Sequence, residues 1–185
     1  MGKWELPLTV EIDGKELEIR NKCDYRVVLD VISCLNDNEL DDIEKANCCL
    51  FIFYENADNI TDPQKAINEM IKIINLGVSS EKEENNKPKM MDWEHDFVNI
   101  APPISRVLGY SVRDKNNYTH WYDFIGAYME IGDCYFAQIM SVRSKKAKGK
   151  KLDENDRKFY AEHKEEVDLP QQISQKEQEW LDSDW

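Results

Sequence analysis

The sequence predicts a mainly α protein, a helical bundle of about six to eight helices with an N-terminal β-hairpin. Three observations carry this. Residues 8–19 alternate apolar and polar side chains around Asp13-Gly14, the strongest short signal of a hairpin. From Asp24 onward the apolar spacing changes to three and four residues, the period of an amphipathic helix. The 185 residues contain only 7 Gly and 6 Pro, too few for a loop-rich or fibrous chain.

In the hairpin, Leu8, Val10 and Ile12 alternate on the first strand and Leu17 and Ile19 on the return. An isolated hairpin is marginal in water, so this one must dock on something. Asp24 is placed to cap a first helix whose stripe is Tyr25, Val28, Leu29, Ile32 and Leu35. A second helix runs from about Asp41 to Tyr54, with Ile43, Ala46, Leu50, Phe53 and Tyr54 inward. A third is bounded by Asp62 as cap, Pro63 at the first helical position and Gly77 at the end. Its apolar residues are Ala66, Ile67, Met70, Ile71 and Ile74. The charged, aperiodic stretch 79–89 reads as an exposed, mobile linker.

Beyond it, Asp92 caps a helix with Phe97, Ile100, Ile104, Val107 and Leu108 on one stripe. Pro102-Pro103 should kink or break it, because proline lacks the backbone donor and crowds the preceding turn. Thr119 is placed to cap a helix with Trp121, Phe124, Ile125 and Tyr128 on a bulky face. Asp133 is placed to cap the next, with Phe136, Ile139, Met140 and Arg143 along one side. The charged segment from Asp153 to Glu166 forms a further helix with an acidic start. Residues 1–169 then read as a single mainly helical domain, and 170–185 as a polar tail that could hold a short helix.

Composition narrows the function. Hydrophobic residues at 41% can form a core, while a net charge of -13 argues against a generic binder of phosphate backbones. The five cysteines, Cys23, Cys34, Cys48, Cys49 and Cys134, are odd in number and unevenly spaced. They read as reduced thiols, mostly on buried helix faces, in a protein made in a cytoplasm. No apolar run approaches the roughly 20 residues of a membrane span.

Reaction chemistry is not legible. There is no Gly-rich phosphate loop, and His95, His120 and His163 are scattered. Asp92, His95 and Asp96 have helical spacing for metal ligands, but helix capping explains the same residues. Cys48-Cys49 lacks the two intervening residues of redox and zinc pairs, and a buried helix seam accounts for it. The rings of "HWYDF" suit a core more than a ligand platform. No catalytic, cofactor-binding or metal residue is predicted, and no cofactor.

One feature stands against the acidic background. "SVRSKKAKGKKL" holds Arg143, Lys145, Lys146, Lys148, Lys150 and Lys151 within nine residues, and acidic residues follow at once. Arg143, Lys145 and Lys146 suit the negative end of one helix dipole, and Asp153, Glu154 and Asp156 the positive start of the next. That account leaves the density at Lys148, Lys150 and Lys151 unexplained. All six cations are therefore candidate contacts with a partner or a second copy, the last three foremost.

Four stretches, "DWEHD", "HWYDF", "SVRSKKAKGKKL" and "FYAEHKEEVDL", stand in an order and spacing that resembles the bacteriophage gene-product-fifteen family, small proteins of long-tailed phages and prophages of Gram-positive bacteria. The resemblance covers nearly the whole chain up to Leu169. It implies a non-enzymatic role in tail morphogenesis, since the family's genes lie near the tape-measure gene. It further implies a tail assembly chaperone in the bacterial host cytoplasm, with the tape-measure protein and other tail proteins as partners, and a homo-oligomer as a further option. The alternative is a structural virion component such as a head-tail connector or tail-terminator subunit. Nucleic-acid binding through Lys145 to Lys151 stands third, because the strip lacks interleaved aromatics for base stacking.

Overall fold

The computed structural model describes residues 5–77 and 88–170. Among them are eight α-helices and an N-terminal antiparallel two-strand hairpin, and 60% of the described residues are helical. They fall into two compact units, one holding 5–77 and 118–125, the other 88–117 and 126–170. Of the segment 79–89 expected as a linker, all but Pro88 and Lys89 lie outside the described residues, as does the tail beyond Pro170.

In the first unit, β1 (Thr9–Ile12) and β2 (Lys15–Glu18) pair with Val10 opposite Leu17. Asp13 at φ 50 and Gly14 at φ 78 supply the two left-handed positions of a tight two-residue turn, the second of which suits glycine. Val10, Ile12, Leu17 and Ile19 are buried, whereas Leu8, which precedes β1, is exposed. The hairpin docks as expected: Glu55 donates its N–H to the Glu18 carbonyl at 3.0 Å, and Ile19 bridges to Tyr54.

Three helices follow, α1 (Tyr25–Asn36), α2 (Asp42–Phe53) and α3 (Pro63–Ile74). Asp24, Asp41 and Asp62 accept hydrogen bonds from first-turn amides, and Glu44 completes a capping box at α2. Each such cap stabilises by about 1 kcal/mol. The buried faces differ in phase from the stripes read off the spacing. Helix α1 buries Tyr25, Val27, Val28 and Val31 and exposes Leu35, while α3 buries Ala66, Met70 and Ile73. Helix α2 buries Cys49, Leu50 and Phe53, but Ile43 is 73% exposed. Spacing reports which residues share a face; it does not report how far neighbours extend along that face.

Between β2 and α1 the chain makes a left-handed turn of non-glycine residues, with Asn21, Lys22 and Cys23 at φ 48, 55 and 61. Each such residue costs roughly 1–2 kcal/mol, so outside contacts must hold the turn. Asn21 donates its N–H to the Glu55 carboxylate at 3.0 Å, and Tyr118 Oη donates to the Lys22 carbonyl at 2.7 Å. Trp121 donates its N–H to the Cys23 carbonyl, and Tyr25 its N–H to the Thr119 carbonyl. Burial pushes the Cys23 thiol up to about 12, so it is an inert packing group.

These contacts seat the start of α5 (Trp121–Met129) in the first unit, to which Trp121–Ile125 belong. The expected cap Thr119 is corrected to His120, whose Nδ1 accepts the Tyr122 N–H at 3.0 Å. A ring nitrogen that accepts cannot carry the proton, so Nε2 carries it and donates to the Pro7 carbonyl at 3.2 Å. His120 is fully buried, and desolvation holds its ring below the usual 6.5. Below about pH 6.5 the unfolded chain therefore takes up a proton that the fold refuses, and stability falls with pH by at most about 1.4 kcal/mol per unit. Urea midpoints measured from pH 8 to 5 should show this slope, and His120→Gln should flatten it. An unchanged slope in the variant would remove His120 as its cause.

In the second unit, α4 (Trp93–Leu108) is capped by Asp92 and runs through Pro102 and Pro103, so of the kink or break expected there the break does not occur. Pro102 has no N–H for the Val98 carbonyl one turn back. Arg113 supplies one instead, its guanidinium donating to that carbonyl at 3.1 Å. Helix α6 spans Tyr135–Ala147, α7 Glu154–Glu162 and α8 Lys164–Val167. The N-cap of α6 is Cys134, with no side-chain cap bond, which corrects the expectation for Asp133. Asp153 caps α7 through a box with Asp156, as its acidic start predicts.

Candidate functional site

The basic strip lies at the end of α6 and in the loop before α7. Gly149, at φ 63, ends the helix: its N–H reaches the Lys146 carbonyl, and the Lys150 N–H reaches the Lys145 carbonyl at 2.9 Å. This is a Schellman closure, which needs a left-handed residue at that point. The turn sends Lys150 and Lys151 away from the helix before Asp153 starts α7.

The fold sorts the six cations into three groups. Arg143 is only 5% exposed, which corrects its assignment as a surface contact. Its Nη1 and Nη2 each donate to the fully buried Asp96 carboxylate at 2.7 Å. The same guanidinium donates to the carbonyls of Val167 at 2.7 Å, Glu166 at 2.6 Å and Met90 at 3.1 Å. Asp96 also accepts the Asp92 N–H at 3.0 Å, so the pair ties the start of α4 to α6 and to the end of α8. A forked guanidinium on a planar carboxylate, with the remaining donors satisfied, is the geometry in which a buried pair is tolerated. Spacing alone marks Asp96 as a residue of a helix start and does not reveal this partner.

Lys145 pairs with Asp156 and, at 3.5 Å, with Asp153, so it joins α6 to the start of α7. Lys146 pairs with Asp168 and lies 3.8 Å from the centre of the Tyr160 ring. Tyr160 Oη in turn donates to Asp168 at 2.7 Å. Burial lowers the Lys146 pKa, but its bonds to Asp168 and Tyr160 outweigh that, and its ammonium is held above the usual range. Lys148, Lys150 and Lys151 remain exposed, and among the described residues none of them has an ion-pair partner.

The other candidates dissolve into structure. Asp92 caps α4 and pairs with Lys89 at 2.6 Å, and His95 donates its backbone N–H to that cap. No group of three or more His, Cys, Asp or Glu among the described residues is placed to hold a metal. All five cysteines are free thiols; Cys23 and Cys49 are buried, but Cys48 is exposed, so only half of the Cys48-Cys49 pair lies in a seam. A depression of about 460 Å³ beside β2 is lined by Lys15, Glu16, Leu17, Glu18, Asn56 and Asn59. Apart from Leu17 these residues are exposed and polar, the character of a solvated sheet edge. No helix among the described residues is long and apolar enough to cross a membrane.

Fold and site together define a mainly helical protein whose candidate site is an exposed cationic loop, without an ion-pair partner among the described residues, on an acidic chain. The sequence matches the family described as Bacteriophage Gp15 protein over residues 3–169, and the chain belongs to that family. It is a phage structural or morphogenesis protein. No curated protein and no solved structure matches it. Three of the four stretches that carried the resemblance converge on Arg143. "DWEHD" contributes Asp96, "SVRSKKAKGKKL" contributes Arg143, and "FYAEHKEEVDL" contributes Glu166 and Val167.

Proposed function

We propose that this protein is a tail assembly chaperone, a non-enzymatic morphogenesis factor that shields the tape-measure protein in the host cytoplasm until tail-tube subunits surround it. The observation that carries the reading is the trio Lys148, Lys150 and Lys151, exposed and unpaired among the described residues on a chain of net charge -13. A cationic loop with no ion-pair partner among the described residues favours an acidic partner surface, and complementary charge guides encounter and register. Large apolar side chains such as Ile43 and Phe51 are also exposed, a further reason to expect protein partners. The acidic exterior would keep a complex with an apolar protein in solution.

Co-expression with the tape-measure protein of the same phage tests the reading. The expected result is a soluble complex that co-purifies. Replacing Lys148, Lys150 and Lys151 with Glu should leave the fold intact, because exposed loop changes cost within about 0.5 kcal/mol. The triple variant should associate more weakly, and most visibly at low salt, where screening is least. A tape-measure protein that stays equally insoluble with and without this partner would sink the proposal.

The same trio favours a second reading, a structural virion component such as a head-tail connector or tail-terminator subunit, because a second acidic copy could satisfy it. Mass spectrometry of purified particles separates the two: a component is present in fixed copy number and a chaperone is absent. Nucleic-acid binding is the weakest reading, since Arg143, Lys145 and Lys146 are already engaged within the fold.

A further inference from the structure

Helix α2 is apolar on two sides. One side packs through Cys49, Leu50 and Phe53. On the other, Ile43 and Phe51 are 73% and 56% exposed, eight residues apart with exposed Asn47 midway. At 3.6 residues per turn, Ile43, Asn47 and Phe51 line one outward stripe two turns long. Stability alone does not require an exposed Phe on a helix. The Phe51 carbonyl is held by Arg20 at 2.8 Å, which fixes the backbone that presents the ring.

The Ile43 end of the stripe is anionic, while Arg20 lies at the Phe51 end. Asp37, Glu39, Asp41, Asp42 and Glu44 fall within eight residues, and no Lys or Arg interrupts them before Lys45. Asp41 and Glu44 cap α2, and Asp37 accepts the Glu39 N–H. Yet Asp37, Asp41, Asp42 and Glu44 have no ion-pair partner among the described residues. A surface with two large apolar anchors and carboxylates gathered at its Ile43 end matches an amphipathic helix that carries apolar side chains on one face and Lys or Arg at one end of it.

We infer that the outward face of α2, anchored by Ile43 and Phe51, docks a basic amphipathic helix of a partner protein. The inference rests on the chaperone reading and deepens it by naming the chemistry of the segment that is shielded. A second copy of this chain fits less well, because the exposed cations of its basic strip, Lys148, Lys150 and Lys151, lie in a loop and not on an apolar helix face.

The probe is a fluorescein-labelled helical peptide with Leu on one face and Lys flanking it, titrated with the full chain and followed by anisotropy. A twin peptide with Glu in place of Lys is the charge control. Wild-type protein should bind the Lys peptide, with affinity that falls as salt rises, and should ignore the Glu peptide. Phe51→Asp and Ile43→Asp should each weaken binding about tenfold or more, as central anchors do. Val98→Asp, an equally exposed position on α4, should stay within about twofold. Thermal melts check that the variants fold. Equal binding by wild type and Phe51→Asp, or equal binding of both peptides, overturns the inference. So does a wild type that does not bind the Lys peptide; sedimentation then tells whether a second copy takes the face. Failure of tape-measure co-expression with these peptide results intact would sink the chaperone reading and leave the docking face standing.

Discussion

Asp96→Ala is expected to destabilise the protein by about 3–5 kcal/mol, the usual cost of breaking a buried ion pair from one side. The substitution leaves the Arg143 guanidinium 5% exposed and without its counter-charge. Its remaining partners, the carbonyls of Met90, Glu166 and Val167, are neutral acceptors that cannot balance a full charge in a dry site. Arg143→Lys should be nearly as damaging, because a single ammonium cannot reproduce five directed bonds to one carboxylate and three carbonyls. Asp96→Ala combined with Arg143→Met should recover much of the loss, since an apolar pair leaves no buried charge. Urea midpoints with hydrogen exchange on α6 amides measure all three. A loss below about 1 kcal/mol for Asp96→Ala would mean that the site is wetter than its burial implies.

Phe124→Ala should cost a similar amount, about 3–5 kcal/mol for a fully buried aromatic. The Phe124 ring stacks on Tyr25 with centroids 4.2 Å apart and planes 2° from parallel, and Trp121 stacks on it at 6.0 Å. All three rings are at least 97% buried. Removing the central ring opens a cavity between two large neighbours whose backbones are held, Tyr25 by its bond to Thr119 and Trp121 by its bond to Cys23. Little collapse can then relieve the void, which places the cost at the upper end of the range. A thermal melt shifted by only a few degrees would instead show that Tyr25 and Trp121 close the gap.

Much of the second unit's logic was present in residue types before any coordinate. Arg143 falls on the stripe of Phe136 and Ile139, and a charged residue on an apolar stripe demands a buried partner. What the stripe could not name was Asp96, 47 residues away. A carboxylate four residues into a helix looks the same whether it serves the dipole or a distant guanidinium. Similarly, Pro102-Pro103 predicts a defect in α4, and the donor that repairs it, Arg113, is recognisable only once the chain has turned back. The phase errors at Leu35 and Ile43 share this cause: amphipathic spacing is local, whereas burial is decided by neighbours.

By itself the sequence determined the hairpin with its Asp13-Gly14 turn, the caps at Asp24, Asp62 and Asp92, the helix starts at Asp41 and Asp153, and the helical end at Gly149. These features depend on contacts within a few residues, so propensity and spacing suffice to specify them. Only the tertiary structure decided which cations of the strip are internal and which are free. Arg143, Lys145 and Lys146 find carboxylates on α4, at the start of α7 and after α8, while Lys148, Lys150 and Lys151 find none among the described residues. The physical reason is that the worth of a charge depends on its solvation and its counter-charge, and both are supplied by segments that meet only when the chain folds.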